Sequence, residues 1–200
     1  MSKPLEAFTI GDFTEKTKDR SSYPGGGAVA ALGGALGASL VLMAEALSHY
    51  HSEKSQRVEN IGKALLENME EDALAYEKVI EAKKCPKTTQ EEIKYRNEKI
   101  EEGLIHAIEV PLKTASLALE LLEIQEAGIT NIFPYGISDT GVATLLLYSA
   151  LEGALLNVRI NVGSLKDENK KTYYKDKMEK MVQDGTKRKE KILEYVYGKL

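Results

Sequence analysis

Apolar side chains recur at intervals of three and four along most of the chain, which is the period of one face of an α-helix. Over about 52–84 the positions Val58, Ile61, Leu65, Met69, Tyr76 and Val79 form such a stripe, closed by Pro86. Thr89 followed three residues later by Glu92 has the pattern of a capping box, and Ile93, Ile100, Leu104, Ile108, Leu112, Leu119 and Leu122 carry a long helix on to Gly128. Pro111 lies inside that stretch and predicts a kink, because proline removes a backbone donor and crowds the preceding turn. A short first helix is expected over about 9–18, with Ile10, Phe13 and Thr17 on one side. A helix of small residues then opens after Tyr23-Pro24-Gly25-Gly26-Gly27 and runs to about residue 49. A second such helix, capped by Ser138 or Asp139, ends near Gly163, leaving 128–137 as the only loop of any length. A charged helix from about Glu168 carries Tyr174, Met178, Met181, Gly185, Ile192 and Val196. Sustained apolar/polar alternation and tight-hairpin dipeptides are missing, so the expected fold is all-α: one domain over 1–200, an antiparallel bundle of about six helices with a long kinked member.

One stretch competes with this picture. Residues 21–44 carry no charge and are long enough to span a bilayer as a helix. Half of those 24 residues are Gly or Ala, too weakly apolar for a spanning segment but well suited to a helix buried all round at the centre of a bundle, where small residues let backbones approach. The expectation is no membrane. A formal net charge of −4, from 27 Lys+Arg against 31 Asp+Glu, lacks the basic field that nucleic acid requires. The single cysteine, Cys85, forms no internal disulfide, and no Cys/His spacing suits a metal. With no export signal at the start of the sequence, the chain reads as cytoplasmic.

Three features carry candidate chemistry. Asp72 falls on the apolar face of its helix, between Met69 and Tyr76, whereas Glu70 and Glu71 fall outside the stripe. A carboxyl among apolar groups is costly to ionise, which raises its pKa toward the range useful for proton transfer; the plainer reading is a stripe-edge Asp paired with a cation. Ser149, Gly153, Asn157 and Asn161 lie four apart on one helical face. Asparagine is a poor helix former that needs partners when buried, so Asn157 and Asn161 either bridge helices or read a ligand with many hydrogen-bonding edges. Finally, Gly25, Gly26 and Gly27 open a helix whose free N–H groups can meet a phosphate or carboxylate, or serve simply for a tight turn and close packing.

Taken in order, these residues resemble one family. Pro24-Gly25-Gly26-Gly27-Ala28-Val29-Ala30-Ala31 is similar to the Pro-Gly-Gly-Gly-(Ser/Ala)-Val-Ala-Ala segment of the cyclodeaminase part of formiminotransferase-cyclodeaminases, and Asp72-Ala73-Leu74-Ala75-Tyr76 to its Asp-x-x-Ala-(Phe/Tyr) stretch. Pro86-Lys87-Thr88 with Glu91, Glu92 and Arg96, then Val110-Pro111-Leu112, Ser138-Asp139-x-Gly141-Val142-Ala143 and Asn157-Val158-x-Ile160-Asn161, continue the series over about 5–167. The chain looks like a free-standing form, without a formiminotransferase domain. The segment 130–136, with Phe133 and Tyr135 flanking Pro134, is longer and more aromatic than the Asn-rich version of the family and would narrow the site entrance if it folded over a substrate.

The resemblance implies a homodimeric helical enzyme that binds a reduced folate and needs no cofactor beyond it. It implies formiminotetrahydrofolate cyclodeaminase first: N10 attacks the formimino carbon and ammonia leaves to give 5,10-methenyltetrahydrofolate. The near alternative is methenyltetrahydrofolate cyclohydrolase, and a further one is a helical folate binder without chemistry. On either catalytic reading Asp72 is the acid/base, Ser138, Asp139, Asn157 and Asn161 hydrogen-bond the pterin, and Gly25, Gly26 and Gly27 meet an anionic or carbonyl part of the folate. The segment from Ser164 onward has eleven Lys/Arg against seven Asp/Glu, ordinarily a solvated face and otherwise an attraction for a polyglutamate tail.

Overall fold

A computed structural model describes residues 4–19, 24–51 and 53–200; Tyr23 and Ser52 lie outside them. Among the described residues seven α-helices follow in order: α1 (Ile10–Thr17), α2 (Gly26–Leu47), α3 (Ser55–Ala75), α4 (Glu77–Lys84), α5 (Gln90–Gly128), α6 (Pro134–Gly163) and α7 (Glu168–Tyr197), with 3₁₀ turns at Leu5–Ala7 and Ile129–Asn131. No strand occurs among the described residues. Local chemistry sets several boundaries. The Thr9 hydroxyl accepts the Asp12 N–H at the head of α1. Thr89 and Glu92 close a full capping box on α5, and the Asp167 carboxylate accepts the Asn169 and Lys170 N–H groups at the head of α7. Each supplies an acceptor to N–H groups that the helix cannot pair internally.

The small-residue helices α2 and α6 pack antiparallel along most of their length, and the glycines record the register. A Cβ added at Gly153 would lie 3.3 Å from that of Ala30, one at Gly34 would lie 3.3 Å from that of Ala150, one at Gly37 would meet Leu147 at 2.8 Å, and one at Gly136 would come within 3.0 Å of the Ala44 carbonyl. Such backbone proximity is what Gly and Ala permit. Around this pair lie α3, α5 and α7, which bury Val58, Ile61, Leu65, Ile108, Leu112, Leu121, Leu122 and Ile192 in one continuous core. In α7 the buried residues are Tyr174, Met178, Met181, Gly185, Ile192 and Val196, as the periodicity predicts.

Three expectations change. The helix expected over 52–84 is interrupted at Tyr76, giving α3 and α4; apolar spacing continues through the turn and so conceals it. The loop expected over 128–137 is largely helical, and α6 begins at Pro134 with Phe133 as its N-cap. Proline suits the first helical position because its missing N–H is unpaired there anyway, so Ser138 and Asp139 sit inside the helix instead of capping it. Nor is α2 buried all round: Leu36 is 52% exposed, and Val29, Met43 and Leu47 are also open. Both α2 and α6 are long and apolar enough to cross a membrane by length and composition, with 56% and 44% of their apolar windows buried inside the bundle. Of the apolar residues of α1, Phe13 is buried and Ile10 is exposed.

Candidate functional site

Asp72 lies one turn from the end of α3, and the antiparallel register of α2 and α6 brings the N-terminus of one and the last turns of the other to the same place. The result is a cleft of about 550 Å³ bordered by Gly25, Gly26, Gly27, Asp72, Tyr76, Glu77, Ala107, Asn157 and Asn161. Six of the residues singled out in the sequence therefore share one cavity, although they come from three helices.

The Asp72 carboxyl rests directly on Gly27; a Cβ there would overlap both carboxyl oxygens. It accepts a hydrogen bond from the backbone N–H of Ala28, in the first turn of α2, whose N-cap Gly25 has no side chain to do this. Asp72 thus caps α2 from another helix. Burial raises its pKa from the ordinary 3.8, the Ala28 N–H lowers it, and burial prevails, leaving the carboxyl pushed up to about 6. Glycine at position 27 is required for close approach, and the anion-binding reading of the Gly turn changes accordingly: one of its N–H groups already serves a resident carboxylate.

Both asparagines are half-buried. Asn157 donates its Nδ2 to the Gly153 carbonyl of its own helix at 2.9 Å, and its amide faces Gly26. Asn161 donates its Nδ2 across to the Ala107 carbonyl of α5, also at 2.9 Å, so the helix-bridging reading applies to it. Neither Oδ1 has a protein partner among the described residues, and each remains an acceptor for a ligand N–H.

Ser138 and Asp139 are not brought to this cleft within the chain. They lie in the opening turns of α6, 18 residues before Asn157 in the case of Asp139, or roughly 27 Å along a helix axis at 1.5 Å per residue. Phe133 and Tyr135 are at that same remote end, 53% and 83% exposed, and do not cover the cleft. Conversely, Tyr76, Glu77, Ile80, Ile160 and Ser164 border the cleft beyond the sequence-derived set. In the sequence Tyr76 stands out as an apolar stripe position and as the aromatic end of the Asp72–Tyr76 motif, and neither marks it as a cleft residue. Its phenol takes a 3.3 Å hydrogen bond from Lys83 at the rim.

Comparison with known proteins gives a consistent outcome. A family model described as formiminotransferase-cyclodeaminase matches residues 9–180. A methenyltetrahydrofolate cyclohydrolase from Methylorubrum extorquens is 33% identical over 96% of this chain and 97% of its own length. A formimidoyltransferase-cyclodeaminase from Gallus gallus is 32% identical over 85% of this chain, but the match spans only 33% of that protein. A crystal structure of formiminotetrahydrofolate cyclodeaminase from Thermotoga maritima superposes with a TM-score of 0.76 at 21% identity, covering 98% of this chain and 97% of the other, which shows a common fold.

Proposed function

The chain belongs to the formiminotransferase-cyclodeaminase family, and from that premise we propose that it works on the one-carbon bridge between N5 and N10 of a reduced folate, with Asp72 as general acid and base. The observation that carries this is the Asp72 carboxyl, held in a ligand-sized cleft by Ala28 and Gly27 and poised near pH 6. The leading reaction is hydrolysis of 5,10-methenyltetrahydrofolate to 10-formyltetrahydrofolate. Among the relatives near 30% identity, a methenyltetrahydrofolate cyclohydrolase is matched over 97% of its length and the formimidoyltransferase-cyclodeaminases over about a third of theirs, while the cyclodeaminase matched end to end is a structural neighbour at 21% identity.

In this reaction the ionised Asp72 takes a proton from water as the water oxygen bonds to the methenyl carbon. The resulting tetrahedral carbon carries a hydroxyl between N5 and N10. As the C–N5 bond breaks, Asp72 returns its proton to N5, the hydroxyl proton goes to solvent, and the carbonyl of the formyl group forms. Asn157 and Asn161 present their Oδ1 atoms to pterin N–H groups, and Tyr76, Ile80 and Ile160 supply apolar walls. No cofactor beyond the folate enters these steps.

The second reading, cyclodeamination, is favoured by the same poised carboxyl: at a pKa of about 6 an appreciable protonated fraction is present near neutrality to accompany departing ammonia. Incubation with formimino- and methenyltetrahydrofolate separately, following the methenyl absorbance and free ammonia, decides between them. Loss of methenyl absorbance without ammonia supports cyclohydrolysis; its appearance with stoichiometric ammonia supports cyclodeamination. The reading includes a homodimer, supported by the exposed apolar stripes Val29, Leu36 and Met43 on α2 and Leu145, Leu156 and Ile160 on α6, which sedimentation equilibrium tests. It also includes a cytoplasmic setting, which the free thiol of Cys85 suits.

A further inference from the structure

Helix α5 runs unbroken through Pro111. In a regular helix the N–H of residue 111 would donate to the carbonyl of Ala107; proline has none to give. Ala107 is almost wholly buried, where an unpaired carbonyl is costly, and it borders the cleft. The donor it receives is Nδ2 of Asn161, at 2.9 Å from α6. On the neighbouring residue, the Val110 carbonyl accepts Nδ2 of Asn68 at 2.8 Å, and Asn68 stands one turn before Asp72 on α3. The turn of α5 that leads into this proline is therefore tied by side-chain amides to α6 and α3, which carry Asn157, Asn161 and Asp72.

We propose that Pro111 is a positioning residue that acts through Asn161: by withholding its N–H it leaves the buried Ala107 carbonyl dependent on the Asn161 amide for its hydrogen bond, and that dependence holds the amide with Oδ1 free for ligand. A proline in the middle of a 39-residue helix is otherwise a liability that most residues would relieve. This inference rests on the folate reading for its ligand, but the orientation of Asn161 is testable without one.

Pro111→Ala and Pro111→Gly both restore the N–H and differ in helix propensity. In ¹⁵N-labelled protein the Asn161 carboxamide protons of the unsubstituted chain are expected to be protected from exchange, and in both variants to lose that protection, whereas the melting temperatures of the two variants separate. With methenyltetrahydrofolate, KM is expected to rise roughly 3- to 10-fold in both variants, about the value of one neutral hydrogen bond, with the pH dependence of kcat unmoved. In an Asn161→Ala background neither substitution should add to KM, since the two act in one chain of contacts. Unchanged Asn161 exchange in both variants overturns the proposal, as does an equal rise in KM with and without Asn161. If the unsubstituted protein turns over neither folate, the function proposed above fails while the exchange measurement still decides the role of Pro111.

Discussion

The two ends of the α2–α6 pair are built from the same small residues yet treat polar groups in opposite ways. At the end formed by the C-terminus of α2 and the head of α6, polar side chains satisfy one another. Gln125 donates to the Thr140 carbonyl and accepts from the Thr144 hydroxyl, both at 3.0 Å. Ser48 donates to the Ala44 carbonyl at 2.7 Å and accepts the Phe133 N–H at 2.9 Å, and Glu45 accepts from Ser55 at 2.7 Å. The space left there is about 10 Å³, around the lower limit for one water. At the other end a 550 Å³ cleft holds a carboxyl raised by burial and two amide oxygens with nothing to accept. Buried polarity by itself does not mark a site; polarity left incomplete beside an accessible cavity does.

Removing the carboxyl should produce the largest contrast. Asp72→Asn is expected to lower kcat by about two to four orders of magnitude, the range for a lost general acid or base, and to abolish an inflection near pH 6 in kcat/KM measured by the methenyl absorbance. For hydrolysis the ionised form is the active one, so wild-type activity falls below that pH. The same substitution should raise stability. A carboxyl whose pKa is about 6 in the fold against an ordinary 3.8 binds its proton more tightly in the native state. Its favourable contribution is complete below about pH 4 and lost as pH rises through 6. The variant should therefore melt above wild type at pH 7.5 and alongside it at pH 4.

Gly27→Ala ranks next. The added methyl occupies the place of the Asp72 carboxyl, and displacing a reacting group by about 1 Å costs on the order of 100-fold; kcat should fall with the helical circular dichroism preserved. At the closed end, Gln125→Ala should leave kcat within twofold and destabilise the fold by about 1–3 kcal/mol in urea unfolding, through the two hydrogen bonds lost, the Thr144 hydroxyl keeping its 2.8 Å bond to the Thr140 carbonyl. The smallest effect is expected of Asp139→Asn, with KM within twofold. A tenfold change would instead bring Asp139 to the cleft of a second copy and join the two ends that this chain keeps apart.

How much of this was legible depended on whether the information was local. The Thr89–Glu92 box, the buried series of α7 and the anomalous Asp72 could be read because each is a statement about spacing within one helix. The break at Tyr76 was not, since the apolar period runs through it. The place of Ser138 and Asp139 was hidden for a different reason: resemblance places a motif in order along the chain, whereas the antiparallel path of α6 carries its first turns to the opposite end of the same chain from Asn157. Asn161 reads from the sequence as either bridge or ligand contact; its Nδ2 makes the bridge, and its Oδ1 is left without a protein partner beside the cleft.

The overlap of a Gly27 methyl with the Asp72 carboxyl also constrains descent. A larger residue at position 27 leaves no room for the acid in its present seat, so any such replacement requires the carboxyl to move or be lost. The two positions are thus a single heritable character.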